Sequence, residues 1–176
     1  MPAGKSSYLQ LINTNTQGPR CDVTPLFADY AAFSQLIHDL SLPLKQLDFD
    51  YVAGIDALGF ILGTAMALHF KVGFLAIRKG DKLPVKTDQV CFVDYTGQKK
   101  SLELQHGAIK PGARVVLIDE WIETGSQIRA ALGLVERQGG IVAGIATINI
   151  DENENTRSLL KEYACHAIWR DGNPAR

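Results

Sequence analysis

The sequence predicts an α/β protein: an open, mostly parallel, twisted sheet flanked by helices. Three observations predict it. Strand-like and helix-like segments alternate along most of the chain from residue 50 onward, the pattern that builds parallel sheets. "ARVVLID" (113–119) is almost continuously apolar, as a strand covered on both faces must be. Three polar, glycine-bearing turns, "GID" (54–56), "RKGDK" (78–82) and "DEWIETGSQ" (119–127), each follow a strand. They therefore share the rim at which open sheets bind ligands.

Residues 1–21 are polar and read as irregular. "DVTPLFADYAAFSQLIHDL" (22–40) reads as one helix, with Thr24 as N-cap, Pro25 at the first helical position and apolar residues at helical spacing. "DYVAGI" (50–55) is a short strand, and "LGFILGTAMALHF" (58–70) is a helix apolar enough to be mostly buried. "VGFLAIR" (72–78) is a strand entering a polar loop. "QVCFVDY" (89–95) and "KSLEL" (100–104) alternate around "TGQK" as a protruding ribbon. After the strand 113–119 come a helix closed by glycines, the strand "IVAGIATINI" (141–150), the helix "ENTRSLLKEYA" and the strand "CHAIW".

The 176 residues, with no internal repeat or low-complexity linker, predict a single domain, 1–176. Hydrophobic content of 46% and mean hydropathy near zero fit a soluble globular chain. A formal net charge of −1 offers no excess of cations for nucleic acid. The stretch 57–70 is too short to span a bilayer, and the N-terminus lacks the apolar run of a signal peptide. Three widely spaced cysteines form neither a metal motif nor a disulfide framework, so the expected location is the cytoplasm.

The turn after Asp119 carries the chemistry. A helix starting near Gly125 aims free backbone N–H groups and its positive dipole end at whatever sits there. Thr124 and Ser126 add hydroxyls. The expected ligand is a phosphate. Neither GxxxxGK[ST] nor GxGxxG is present, so it is not a nucleotide P-loop or a dinucleotide fingerprint. Asp119 and Glu120, directly before the cradle, suit sugar hydroxyls or a magnesium ion. A phosphate plus two acceptors describes a ribose 5-phosphate.

A buried strand, two acids and a T-G turn into a helix resemble the motif for phosphoribosyl pyrophosphate (PRPP) in type I phosphoribosyltransferases. "DVTPLFADYAAF" (22–33), "GIDALGFILGTAMAL" (54–68), "IRKGDKLP" (77–84), "VDYTGQKKSLELQHGAIKPGARVVLID" (93–119) and "ALGLVERQGG" (131–140) are similar to the adenine-specific branch in order and spacing. The resemblance covers most of residues 20 to 170. It implies that Asp119 and Glu120 bond the ribose hydroxyls and that Glu123, Thr124, Gly125, Ser126 and Gln127 cradle the 5-phosphate. Arg78, Lys79 and Lys82 would neutralise the pyrophosphate, with the backbone of Ala57 and Leu58. The ribbon around Asp94 and Tyr95 would close over the site, Asp94 exchanging a proton with the purine. Residues 1–21 would form a small hood over the base, with Arg20 and Cys21 against it. The resemblance also implies magnesium, brought by PRPP and water, and a homodimer.

Several positions depart from the family pattern. Leu58 stands where an arginine touches the pyrophosphate, and Asp94 where a longer glutamate is usual. Trp121 replaces an aliphatic residue, and Glu123 a small one; a carboxylate beside a phosphate needs to point outward or pair with a cation such as Arg129. Arg20 and Cys21 stand where an aromatic residue and then an arginine are usual. The expected function is an enzyme that forms a nucleoside 5′-monophosphate and pyrophosphate, with adenine as base. The alternatives are transfer to another base, or a non-catalytic sensor of PRPP or a nucleotide.

Overall fold

The computed structural model describes residues 7–17, 20–94 and 96–169. Tyr95 lies outside them, as do parts of the expected hood. Among the described residues, seven strands form one sheet: β1 (Tyr51–Ile55), β2 (Gly73–Lys79), β3 (Thr87–Val93), β4 (Lys99–Gln105), β5 (Arg114–Ile122), β6 (Ile141–Ile150) and β7 (Cys165–Trp169). Their order is β3-β4-β2-β1-β5-β6-β7. The pairs from β2 through β1, β5 and β6 to β7 are parallel, and β4 joins β2 and β3 antiparallel.

Helices cover both faces. On one side α4 (Ser126–Arg137) and α5 (Glu154–Glu162) bury Ile128, Leu134 and Leu159 against Leu117 and Ile145. On the other, α1 (Thr24–Ala28), α2 (Tyr30–Leu44) and α3 (Leu58–Phe70) bury Leu26, Leu36 and Leu62 against Val116 and Ile118. Consecutive β5 residues therefore serve opposite cores, the reason for its unbroken apolar run.

Three expectations need correction. The helix over 22–40 is two helices, because Asp29 is extended (φ −99°, ψ 116°) and its carboxylate accepts from the Ala32 amide at 2.8 Å. Asp29 thus caps α2, which runs on to Leu44, while Val23 rather than Thr24 is the N-cap of α1. Strand β5 does not stop at Asp119. Its pairing with β6 continues to Ile122 opposite Ile150, so both acids sit inside the strand. The segment 1–21 is not wholly irregular: Ser7–Leu11 is a 3₁₀ helix, and Asn13 bridges Asp22. Buried Tyr8 anchors that segment by donating its hydroxyl to Asp39 at 2.8 Å.

Helix α3 lies unusually close to the sheet. A Cβ on Gly59 would stand 2.8 Å from the Ile118 carbonyl oxygen, and one on Gly54 would stand 2.3 Å from the Gly59 oxygen. Glycine at both positions lets the helix start beside Asp119. Among the described residues no helix is long and apolar enough to cross a membrane.

Candidate active site

The carboxyl ends of β1, β2, β5 and β6 face one rim. From β1 the chain passes through Asp56 and Ala57 into α3, and from β2 into the cationic turn. From β5 it passes through Glu123, Thr124 and Gly125 into α4. A cleft of about 200 Å³ opens there, and Asp119, the Glu123–Gln127 stretch, Lys79, Arg20 and Asp94 line it.

Asp119 is 2% exposed. One carboxylate oxygen accepts from the Glu120 amide at 3.0 Å, the other from Gln127 Nε2 at 2.8 Å. Burial, and then the neighbouring Glu120 charge, push its pKa well above the usual carboxylate range. A buried carboxyl with two fixed donors is held in one orientation, ready to meet a polar partner.

The turn is built for close approach. Gly125 is the N-cap of α4 at φ 78°, a conformation glycine adopts without strain. The Thr124 and Ser126 hydroxyls stand 2.9 Å apart, and Asn153 Nδ2 donates to the Glu123 carbonyl at 2.7 Å. The first amides of α4 and its positive end open toward the cleft, the arrangement that binds anions.

Glu123 is where the structure departs most from expectation. Its cation is Arg20, not Arg129. Arg20 Nε donates to Glu123 Oε1 at 2.6 Å and Nη2 to Oε2 at 3.0 Å, while Nη1 stands 3.8 Å from Glu120 Oε1. Burial alone would lower the Arg20 pKa, but the hydrogen bond and charge of Glu123 outweigh it and the net direction is up. Arg129 is engaged elsewhere, with Glu162 at 3.2 Å and Ser158 at 2.6 Å. Cys21 does not line the cleft; it packs on the α2 side of the core, and burial followed by the Asp151 charge pushes its thiol up.

The cationic turn is organised by a residue with no signal in the spacing. Glu103, in β4, is 1% exposed and accepts from the Lys82 and Leu83 amides at 2.7 Å each. Gln89 Nε2 reaches its other oxygen at 3.3 Å. Burial would raise its pKa; the amides of Lys82 and Leu83 outweigh that and hold it low. Arg78 Nε stands 3.7 Å from Asp56, and Arg78 Nη1 donates to the Lys82 carbonyl at 3.4 Å. Lys79 lines the cleft, whereas Arg78 and Lys82 do not, and Lys82 is exposed. Leu58, the first residue of α3, is partly buried against the core.

The ribbon leans over the same cleft through Phe92, Asp94 and Lys100. Asp94 ion-pairs with Lys100 and accepts from the Thr96 hydroxyl and amide at 2.6 and 2.8 Å. Lys100 first, then Thr96, holds its pKa far below the usual range. Trp121 also lines the cleft, its ring edge-on to Trp169 at 5.9 Å. Lys100, Phe92 and Glu103 were not singled out from the sequence.

Among the described residues no group of three or more His, Cys, Asp or Glu side chains could hold a metal ion. Magnesium usually binds through one or two carboxylates together with substrate phosphates. Both Asp119 oxygens already accept protein hydrogen bonds, so the residues present fit magnesium carried by the substrate phosphates and water.

The Phosphoribosyl transferase domain matches residues 27–166. The chain belongs to the phosphoribosyltransferase family. It is 42% identical over 149 residues to an adenine phosphoribosyltransferase of Dinoroseobacter shibae, covering 84% of this chain and 83% of that one. It is 38% identical over 127 residues to the enzyme of that name from Leuconostoc citreum, covering 72% of each. The crystal structure of adenine phosphoribosyltransferase from Thermoanaerobacter pseudethanolicus superposes with a TM-score of 0.85 at 31% identity, covering 93% of this chain and 97% of that one. As a phosphoribosyltransferase the protein is a pentosyltransferase.

Proposed function

We propose that the protein is an adenine phosphoribosyltransferase of purine salvage, forming AMP and pyrophosphate from PRPP and adenine. The observation that carries this reading is one cleft shared by a buried carboxyl, a glycine-started helix, Lys79 and a ribbon acid. The adenine phosphoribosyltransferases it resembles support the choice of base.

In this mechanism Asp119 and Glu120 accept hydrogen bonds from the ribose hydroxyls, and the amides of Thr124–Gln127 hold the 5-phosphate. The bond from C1 to the pyrophosphate oxygen breaks and its electron pair leaves with pyrophosphate. Lys79, with Arg78 and Lys82 from the same turn, stabilises that charge. Adenine N9 bonds to C1 and its proton passes to Asp94, which is ionised and so able to accept it once Lys100 lets go. The ribbon excludes water that would otherwise hydrolyse PRPP. Magnesium, brought by PRPP, supplies further charge neutralisation at the pyrophosphate. Most of the acceleration is positioning and charge stabilisation.

The proposed assembly is a homodimer in the cytoplasm. Tyr30 on α2 and Ile61 and Leu68 on α3 are large apolar residues left exposed, which suits self-association; sedimentation at varied concentration reads it directly. A second reading, a PRPP or nucleotide sensor without turnover, is favoured by Leu58 at the start of α3 and by Arg20 lying against both Glu120 and Glu123. Pyrophosphate release from PRPP and magnesium across adenine, hypoxanthine, guanine, xanthine, uracil and orotate decides among these. Release with adenine alone supports the proposal; release with another base replaces the substrate. Binding of PRPP without release from any base leaves the sensor. Undiminished PRPP binding in Asp119→Asn/Glu120→Gln would remove the ribose role.

A further inference from the structure

The Arg20–Glu123 pair has a geometry that says which part of a substrate it serves. The two residues lie 103 positions apart, yet both line the cleft and meet in a two-point fork. The fork uses one whole edge of the guanidinium, the Nε and Nη2 side. The remaining two-point edge, Nη1 with Nη2, has Nη1 3.8 Å from Glu120 Oε1, so a phosphate there would meet a second carboxylate. The flat faces of the guanidinium are left, and they favour a planar aromatic ring. The Arg20 side chain is 38% exposed and Glu123 only 11%, so the acid is the buried support and the cation faces the opening. The segment bearing Arg20 is itself held: its carbonyl accepts from the Thr16 hydroxyl at 2.6 Å, and Asp22 is bridged to Asn13.

We infer that Glu123 is a positioning residue that fixes the Arg20 guanidinium as a flat stacking surface for the nucleobase, and is not a ligand of the 5-phosphate. This rests on the cleft being the PRPP and base site. Glu123 then serves the base from within the phosphate turn: its main chain shapes the cradle, held by Asn153, while its side chain turns away to Arg20. A carboxylate beside a phosphate site is tolerated because the guanidinium cancels it.

The test is steady-state kinetics with adenine varied at saturating PRPP, and calorimetric PRPP binding, for wild type, Glu123→Gln, Arg20→Lys and the double variant. Arg20→Lys keeps the charge and loses the plane. The expected result is a KM for adenine raised about tenfold in each single variant, the scale of one cation–π contact, with the Kd for PRPP within about twofold of wild type. The double variant should be no worse than either single one, because each breaks the same device. An adenine KM unchanged in Glu123→Gln overturns the inference, as does a PRPP Kd that weakens as much as the adenine KM rises. Wild type that releases no pyrophosphate from any base would instead sink the functional reading. A variant that melts earlier but keeps its adenine KM would show a merely structural pair, and also overturns it.

Discussion

Glu103→Gln tests whether a buried charge organises the cationic turn. The carboxylate is 1% exposed, and one oxygen receives two backbone amides at 2.7 Å. Hydrogen bonds to a charged acceptor contribute about 1.5–3 kcal/mol and neutral ones about 0.5–1.5. Glutamine keeps an oxygen for the two amides and loses the charge on both bonds. The expected loss is therefore about 2 kcal/mol, or about 4–8 °C in melting temperature for a chain of this size. The loss should depend on pH. A carboxyl with a lowered folded pKa stabilises the fold above its unfolded pKa, and that contribution disappears as pH falls through the folded value. Wild type and variant should thus converge in acid and separate near neutrality. Urea unfolding at fixed protein concentration measures the gap, and calorimetry with pyrophosphate measures the turn. Pyrophosphate should bind several-fold more weakly, because Lys82 carries one of the two amides and Lys79 lies at the end of the strand that enters the same turn. A variant equal to wild type in both assays at pH 7 would refute the idea that the Glu103 charge holds this turn.

Further outcomes follow from the same geometry. In Asp119→Asn the sign reverses: a carboxyl with a raised folded pKa stabilises the fold only below its unfolded value, and loses that contribution as pH rises through the raised one. The variant should melt higher than wild type at pH 7, with the gap closing below about pH 4, while PRPP binding weakens. Leu58→Arg should tighten pyrophosphate binding about tenfold, the equivalent of one charged hydrogen bond; no change would show that another cation already serves there. Lys100→Met removes the main group holding Asp94 low. The acid limb of the pH–rate profile should then rise toward the ordinary carboxylate value of about 4, and an unmoved limb would exclude Asp94 as the titrating group.

What was legible in the sequence was whatever a local pattern could encode. The apolar run of β5 announced a covered sheet, and α3 spans Leu58–Phe70 as expected. The all-round apolar sequence of α3 promised a mostly buried helix, but only Gly59, Leu62, Gly63, Met66 and Ala67 are buried, and Ile61 and Leu68 are exposed. What was not legible depended on partners distant in the chain. Strand β5 continues past Asp119 only because β6 lies beside it. Asp29 interrupts the first long helix because its own carboxylate outbids helical continuity, a competition that spacing does not reveal. In the candidate site the acids and the glycine turn stood together in one quoted stretch. The partner of Glu123 did not. Arg129 was the nearer cation in sequence, but α4 carries it toward Ser158 and Glu162. Glu103 sits between two leucines in a strand and looks like an exposed alternation; only the loop folded onto it makes it an acceptor.

The ribbon joins the sheet through two residue pairs, Arg78 with Glu103 and Lys79 with Leu102. Its root is therefore the cationic strand end itself. In the proposed mechanism, the tip of the ribbon and the cations that face the leaving group thus share one piece of backbone. On that reading, movement of the tip and release of pyrophosphate are coupled. Stiffening this root would slow turnover while leaving the bond-breaking step untouched, a signature that a pre-steady-state burst makes visible.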